Sequence, residues 1–572
     1  MASVSPVVSI SEIVFSDGSA VKCSPSDVLV LVGPNNSGKS EALRGVRDAL
    51  MGAGRPNPVI SRASASRVGT TDDLVAWLEE WRSISGPNPA PGHSMFSAFG
   101  MGLHLSQCIS NWQRSDGALG EMSRWFCHLL TAEERLQISN PALNISLTQA
   151  PPVHPIHFLL RDDQLGLKLS ARFRKAFGCD LVINRGAGAQ VPLYAGNRPV
   201  PAAGEDRVSL SYIKKLESLP TLQSQGDGMR SFAGVILATS VGRESILLID
   251  EPEAFLHPPQ ARLLGLSLVQ ERGRSRQLFV ATHSADVLRG TLDSGSPDVR
   301  VLRITRRDAV NVARVLDNAR IGELWGDPLL RYSNILDGLF HDGVVVCEGD
   351  ADCRFYSAVH DSICSAAVEG TRRPDVMFTH CGGKARLAVV IRALREVDVP
   401  VRAVADFDIL SEEQPLREVI EALGLAWPDV AGDWKLVKSA IDGKKPELST
   451  AEVKERITSV LSGISEETFP GKARDDIQSV LRRSSPWSNA KAAGKAFVPH
   501  GQPAQACERL LAVFRGGGLY IVEVGELENF APTEGGHGPK WVNAVLKRDL
   551  LRDLELAPAR EFVRELMRFG AT

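Results

Sequence analysis

No two of the nine cysteines stand in C-x-x-C spacing, which removes a zinc module of the common cysteine type and gives no framework for disulfides. Scattered single cysteines fit reduced thiols in a cytoplasmic protein. No apolar run reaches the roughly 20 residues of a membrane span, and the N-terminus lacks a basic stretch followed by an apolar one. Neither a membrane anchor nor a secretory signal is expected. No heptad pattern is sustained far enough for a long coiled coil. An excess of charge is missing too: 65 Lys and Arg against 68 Asp and Glu leave a formal net charge of -3, so contact with nucleic acid must come from local basic patches. What remains is a chain of 572 residues with 43% hydrophobic and 23% charged content, ordinary for a folded protein. That length predicts about two to four domains.

Near the start, Val7 to Phe15 and Ser26 to Val32 read as short strands. The second runs into Gly33-Pro34-Asn35-Asn36-Ser37-Gly38-Lys39-Ser40 and then into a helical pattern. Strand, glycine-rich turn and helix together are the context of a P-loop. Gly33, Asn36 and Gly38 let backbone N–H groups curl around phosphate oxygens, Lys39 reaches the outer phosphates and Ser40 helps hold Mg²⁺. ATP is therefore the expected cofactor. From Gly52 to about Ala150 the chain carries fewer signals. Arg82 to Phe99 reads as a Gly/Pro/Ser loop, and Trp112 to Leu136 has the spacing of one or two amphipathic helices. His154 and His157 flank a proline and read as a structural turn rather than a metal site.

Ser224-Gln225-Gly226-Asp227-Gly228 opens a helical run, a second anion-binding helix start. Ile246 to Ile249 is a short apolar strand ending in Asp250-Glu251, acids placed to hold Mg²⁺ and to activate water. Leu278 to Thr282 is a further buried strand, ending at His283. In this order the four elements resemble the ABC-type ATPase head of the SMC and RecF group. The resemblance implies that Lys39 and Ser40 bind phosphate and metal, that Asp250 supports Mg²⁺, and that Glu251 is the general base. It also implies that Ser224 and Gly226 serve a second head in trans, with His283 as the switch histidine. A signature acting in trans requires a homodimer, and relatives pair dimers into tetramers. No residue is assigned as the Q-loop glutamine.

A second chemistry begins at Val344-Val345-Val346-Cys347-Glu348-Gly349. A continuous apolar run is the mark of a strand buried on both faces, and its C-terminal end is where an open α/β sheet places its chemistry. Asp352, on the helix that follows, can face Glu348. Val399 to Ala405 is a second such strand, ending in Asp406-Phe407-Asp408. Two residues apart in a strand share a face, which would aim both acids into one site. Carboxylates about 4 Å apart repel by roughly 4 kcal/mol at an effective dielectric of about 20, so the set calls for Mg²⁺ or Mn²⁺.

These residues resemble a TOPRIM domain, with Glu348 as its glutamate, Asp406 and Asp408 as its DxD pair, and His380-Cys381-Gly382-Gly383-Lys384 at a strand-to-helix turn between them. An ABC head followed by TOPRIM is the arrangement of the OLD family of nucleases, to which the Gabija defence nuclease is related. That resemblance implies metal ligation by Glu526 and Glu528 after a late strand at Tyr520, and a catalytic role for Lys540. The cysteine spacing of a primase is absent, and none of the five tyrosines sits in a winged-helix pattern that a topoisomerase would need.

The expected fold is thus α/β: an ABC-type, SMC/RecF-like ATPase head over 1–338 and a TOPRIM domain over 339–572. Helical insertions are expected at about 52–220 and 440–500, the latter carrying Lys444-Lys445 and Arg482-Arg483. The expected activity is ATP-binding, divalent-metal-dependent DNA cleavage in antiviral defence, with DNA, a second copy and an operon-encoded accessory protein as partners. The rival is an ATP-driven DNA clamp or scaffold that does not cut.

Overall fold

The computed structural model describes residues 5–569 apart from 55, 80–94, 99–100, 149, 151, 242–243, 274–275, 308–309, 317–320, 323–325, 327–333, 369–372, 445–449, 465–467 and 482–485. Most of the loop expected at Arg82 to Phe99, together with Lys445, Arg482 and Arg483, lies outside the described residues. The chain divides into two compact units, Met1–Arg331 and Tyr332–Thr572.

In the first unit a six-stranded sheet runs in the order Val310–Val315, Val299–Arg307, Val28–Val32, Gln277–Ala281, Ile246–Asp250, Cys127–Leu130. All neighbours are parallel except the hairpin of Val299–Arg307 with Val310–Val315. The three central strands are apolar because both faces are covered. Every residue of Val28–Val32 and Gln277–Ala281 is buried, and each Val or Leu so buried contributes roughly 1.5–3 kcal/mol. A separate antiparallel sheet, Ala20–Lys22, Val7–Phe15 and Ile60–Val68, packs its apolar face into the same core. One amide joins the two sheets. The buried Gln277 side chain accepts from the Ile10 N–H at 2.8 Å and donates to the carbonyls of Ile10 and Ser24, both at 2.9 Å. Its polar atoms are all paired, as burial demands.

The span 52–220, expected as a helical insertion, contains helices such as Thr71–Glu79 and Asp163–Phe177 but also strands, two of which complete the head itself: Ile60–Val68 and Cys127–Leu130. Within the stretch expected to be one or two helices, Trp112 ends one helix, Ser123–Phe126 is a single turn, and Cys127–Leu130 is the sheet's edge strand. Four residues are too few to show a period of two against the helical spacing on either side.

The second unit is built on a four-stranded parallel sheet in the order Val376–His380, Gly343–Cys347, Val401–Ala405, Leu519–Ile521. Gly343–Cys347 is entirely buried. Helices Asp350–Ser365, Pro539–Val545 and Ala557–Leu566 cover one face around Phe355, Tyr356, Phe530 and Trp541. Between the third and fourth strands the chain makes a long helical excursion from Trp427–Asp442 to Gln502–Gly517. No described helix in either unit is long and apolar enough to cross a membrane.

Candidate active sites: a nucleotide loop and an acidic cluster

The nucleotide loop lies between the strand Val28–Val32 and the helix Lys39–Met51. Gly33 and Gly38 adopt φ of 145° and 93°, and a Cβ on Gly33 would stand 2.0 Å from the Ile304 carbonyl oxygen, so only glycine fits there. Asn36, at φ 59°, is exposed at the turn. Asn311 braces the loop from the neighbouring hairpin, its side-chain N–H donating to the Ser37 carbonyl at 2.6 Å. Lys39 is buried and folds back on the loop, donating to the carbonyls of Gly33 and Pro34, both at 2.8 Å. Burial pushes its pKa down to about 8, against the pull of the Glu251, Glu253 and Asp250 carboxylates.

Ser40 Oγ donates to Asp250 Oδ1 at 2.8 Å, so the helix start and the end of Ile246–Asp250 meet as expected. Glu251 sits at φ 47°, uncommon for a residue with a side chain, and its carboxylate lies 3.3 Å from His283 Nε2. Burial lowers the His283 pKa, and Lys39 adds to that. Ser224 and Gly226 are exposed just ahead of the helix Asp227–Val241, the Ser224 hydroxyl donating to the Thr221 carbonyl at 2.7 Å.

Two further residues of this site carried no sequence signal. Glu253 is half-buried and accepts from Thr282 Oγ1 at 2.9 Å and from the His283 N–H at 2.7 Å, which fixes the turn that presents His283. Burial raises its pKa. Arg135, on Ala132–Ile138 just after the edge strand, is fully buried. It donates to the carbonyls of Asp250 at 2.6 Å and Glu251 at 3.0 Å, and to Ser231 Oγ at 3.1 Å. Burial lowers its pKa while Glu253, Asp250 and Glu251 oppose that shift. It thereby ties the helix that follows Ser224 and Gly226 to the backbone under Asp250 and Glu251. His154 and His157 are structural: Ile156 N–H donates to His154 Nδ1 at 3.2 Å, and His157 Nε2 lies 2.8 Å from the Leu143 carbonyl.

In the second unit the acids gather at the C-terminal ends of the parallel strands, as open α/β sheets require. Glu348 follows Gly343–Cys347 and accepts from the Asp406 N–H at 3.1 Å. Asp352 caps its own helix, accepting from the Gly349 N–H at 2.8 Å. The sharing of a site by Asp406 and Asp408 does not come from strand alternation. The strand stops at Ala405, Asp406 immediately precedes a 3-10 turn over Phe407–Ser411, and Asp408 lies inside that turn. Glu526 and Glu528 repeat the device: Glu526 immediately precedes the 3-10 turn Leu527–Phe530 and Glu528 lies within it.

Electrostatics mark the crowding. Burial, then Asp406, pushes Glu348 up to about 7, and the same two causes push Asp352 up to about 6. Burial raises Asp406, and burial followed by Glu528 raises Glu526. Asp408 Oδ1 is buried and accepts no hydrogen bond among the described residues. An all-oxygen donor set with an unpartnered buried carboxylate oxygen fits a divalent cation. Glu526, Glu528 and His537 also present ligand atoms within 4.8 Å of one another, with His537 Nδ1 2.7 Å from Glu528 Oε1.

Cations complete the picture. Lys384 lies 3.5 Å from Asp408 and 3.3 Å from Glu412. Lys491, from the helical excursion, lies 2.8 Å from Asp406 Oδ2. Lys540 is exposed in the first turn of Pro539–Val545, and among the described residues it forms no ion pair with these acids. Its loop is nonetheless tied to the cluster, because the Gly538 N–H donates to Glu528 Oε1 at 2.6 Å.

The glycine loop, the Ser40–Asp250 contact and the Glu251–His283 pair on a parallel sheet define the first unit as a P-loop ATPase domain. Residues 213–289 match a family model described as an AAA domain, putative AbiEii toxin, Type IV TA system. The chain is a homologue of the Old nuclease of Escherichia phage P2, 24% identical over 173 residues that cover 29% of this chain and 28% of that protein. An uncharacterized protein of Methanocaldococcus jannaschii is 29% identical over 96 residues, 16% of this chain and 84% of its own. Among solved structures, an SMC head bound to the C-winged helix domain of ScpA aligns over 55% of this chain and 99% of its own, with 13% identity and a TM-score of 0.33. The SMC head domain from Thermotoga maritima aligns over 55% and 98%, with 13% identity and a TM-score of 0.27.

Proposed function

We propose that this protein is an OLD-type nuclease: an ATPase whose second, TOPRIM-like unit hydrolyses DNA phosphodiester bonds with Mg²⁺ or Mn²⁺, in antiphage defence. The observation that carries the reading is the acidic cluster, where Glu348, Asp352, Asp406, Asp408, Glu526 and Glu528 converge and Asp408 Oδ1 is buried with no hydrogen-bond partner among the described residues. Those six carboxylates would hold the metal, which when bound supplies Lewis-acid and water-polarising chemistry to phosphodiester cleavage.

The chain's own residues have distinct tasks. Asp406 and Asp408, anchored on one 3-10 turn, fix the ligand geometry. Glu348 steadies that turn through the Asp406 N–H. Lys540, on the loop tied to Glu528, is available to face an anionic phosphate. In the ATPase, Lys39, Gly33, Asn36 and Gly38 cradle phosphate, Ser40 and Asp250 hold Mg²⁺, and Glu251 is the base. Ser224 and Gly226 serve the nucleotide of a second copy, with His283 beside the reacting phosphate. The working unit is therefore a homodimer or a pair of dimers.

The test is supercoiled plasmid incubated with Mg²⁺ or Mn²⁺, with and without ATP. The wild type should nick it. Asp406→Ala should lose Mn²⁺ binding and nicking while hydrolysing ATP normally. Lys540→Ala should keep Mn²⁺ and DNA binding and lose most nicking. Full nicking by Asp406→Ala would overturn the nuclease reading in favour of a non-cleaving clamp.

A further inference from the structure

The helical excursion returns to the sheet with unusual closeness. Its helix Pro486–Ala493 is pressed against the turn that carries Glu526. A Cβ on Gly525 would stand 2.0 Å from the Lys491 carbonyl oxygen, and one on Gly494 would stand 2.1 Å from the Glu523 carbonyl oxygen. Both glycines take positive φ, 111° and 59°. Hydrogen bonds lock the contact: Asn529 donates to the Ala492 carbonyl at 2.8 Å, and the Lys495 N–H donates to the Glu523 carbonyl at 2.8 Å. At the helix's other end Trp487 Nε1 donates to Asp442 at 2.9 Å.

This clamp delivers one side chain into the acidic cluster. Lys491 Nζ lies 2.8 Å from Asp406 Oδ2, 3.9 Å from Asp408 Oδ1 and 4.0 Å from Glu526 Oε2. It therefore bridges the two acid-bearing 3-10 turns, which come from different strands, and it approaches the otherwise unpartnered Asp408 oxygen. A solvated surface lysine needs no such seat. A flexible four-carbon stem also lets a held ammonium be withdrawn without moving the helix.

We infer that Lys491 is a positioning residue of the acidic site: its ammonium is a resident counter-cation that holds Asp406, Asp408 and Glu526 together in the metal-free protein and must withdraw for a divalent cation to load. The inference rests on the metal reading of the cluster. Lys491 thus sets metal affinity, trading tightness of binding for a site that stays assembled when empty.

The experiment uses the full chain as wild type, Lys491→Met, Lys491→Arg and Asp406→Asn. Mn²⁺ affinity is measured by titration calorimetry, and the melting of the second unit is followed in EDTA and in saturating Mn²⁺. Lys491→Met should bind Mn²⁺ at least tenfold more tightly and melt lower than wild type in EDTA, with the melting difference closing in Mn²⁺. A residue that was only structural would lower both stability and affinity. Lys491→Arg, which keeps the charge, should stay within about threefold of wild-type affinity. If Asp406→Asn loses Mn²⁺ while Lys491→Met binds it no more tightly than wild type, this inference fails and the metal reading stands. Equal tightening in Lys491→Arg and Lys491→Met would also overturn it. If Asp406→Asn binds Mn²⁺ like the wild type, the metal reading itself fails.

Discussion

Arg135→Met is the substitution that most directly tests how the ATPase is braced. The methionine keeps much of the volume and removes three donated hydrogen bonds, to the Asp250 and Glu251 carbonyls and to Ser231 Oγ. Hydrogen bonds from a charged donor contribute about 1.5–3 kcal/mol each. Relief of a buried guanidinium returns part of that sum, leaving a net loss of about 3 kcal/mol. At roughly 2–4 °C per kcal/mol, the first unit should melt about 6–12 °C lower. The catalytic cost is separate. Glu251 sits at φ 47°, and Arg135 holds the two carbonyls on either side of that linkage. Freed from it, the carboxylate need drift by only about 1 Å to lose about 10²-fold in kcat. Arg135 donates to none of Gly33, Asn36, Gly38 or Lys39, so nucleotide affinity should change little. Steady-state ATP hydrolysis, fluorescent-nucleotide binding and scanning calorimetry separate the three effects. Ser231→Ala, which removes one acceptor and leaves the Arg135 Nε–H unpaired, should cost about 1.5–3 kcal/mol. Wild-type kcat in Arg135→Met, or a loss of nucleotide affinity as large as the loss of kcat, would show that Arg135 does not hold Glu251 in place.

Lys39→Met should abolish ATP binding yet raise the melting temperature of the nucleotide-free protein at pH 7, because a lysine held at a pKa of about 8 instead of its ordinary 10.5 destabilises the fold by about 3 kcal/mol while charged. The wild type should accordingly gain stability as pH rises from about 8 to 10.5, where the unfolded chain still binds the proton that folded Lys39 has released, and the variant should not. Glu251→Gln should bind ATP normally and hydrolyse it at least 10²-fold more slowly. Glu348 and Asp352 are raised to about 7 and about 6, so the folded protein binds more protons than the unfolded one between about pH 4 and 7. Metal-free protein should therefore lose stability as pH rises through that window, Mn²⁺ should flatten the loss, and Glu348→Gln should reduce it; thermal melts from pH 5 to 8 read all three.

Contiguous motifs were the legible part of the chain. The loop 33–40 and the run 246–251 each carry their chemistry within a few residues of a buried strand, so local pattern and final position coincide. Arg135 was not legible, because its role exists only once the edge strand Cys127–Leu130 has brought it under Asp250, and that strand is too short to announce itself. For Asp406 and Asp408 the residues were readable and the geometry was not. A D-x-D after an apolar run looks like strand alternation, whereas the Phe407–Ser411 turn does the aiming. Lys491 stands in a Ser/Asn/Ala/Lys stretch with no motif around it. Only the close approach of Gly525 to its carbonyl, made over thirty residues away in sequence, gives it a place.

The order of strands in the second unit also has a temporal meaning. Val401–Ala405 pairs with Leu519–Ile521, a partner that leaves the ribosome long after it. At about 5–20 residues per second, Glu526 is synthesised roughly 6–24 s after Asp408. Throughout that interval a nascent chain already holds a complete nucleotide loop but lacks its fourth strand, two of its carboxylates and the turn that seats Lys491. Closing so long a loop is slow relative to local helix formation. Each copy thus lacks a complete acidic cluster until Glu526 and Glu528 have been made, and a chain stopped before them never gains one.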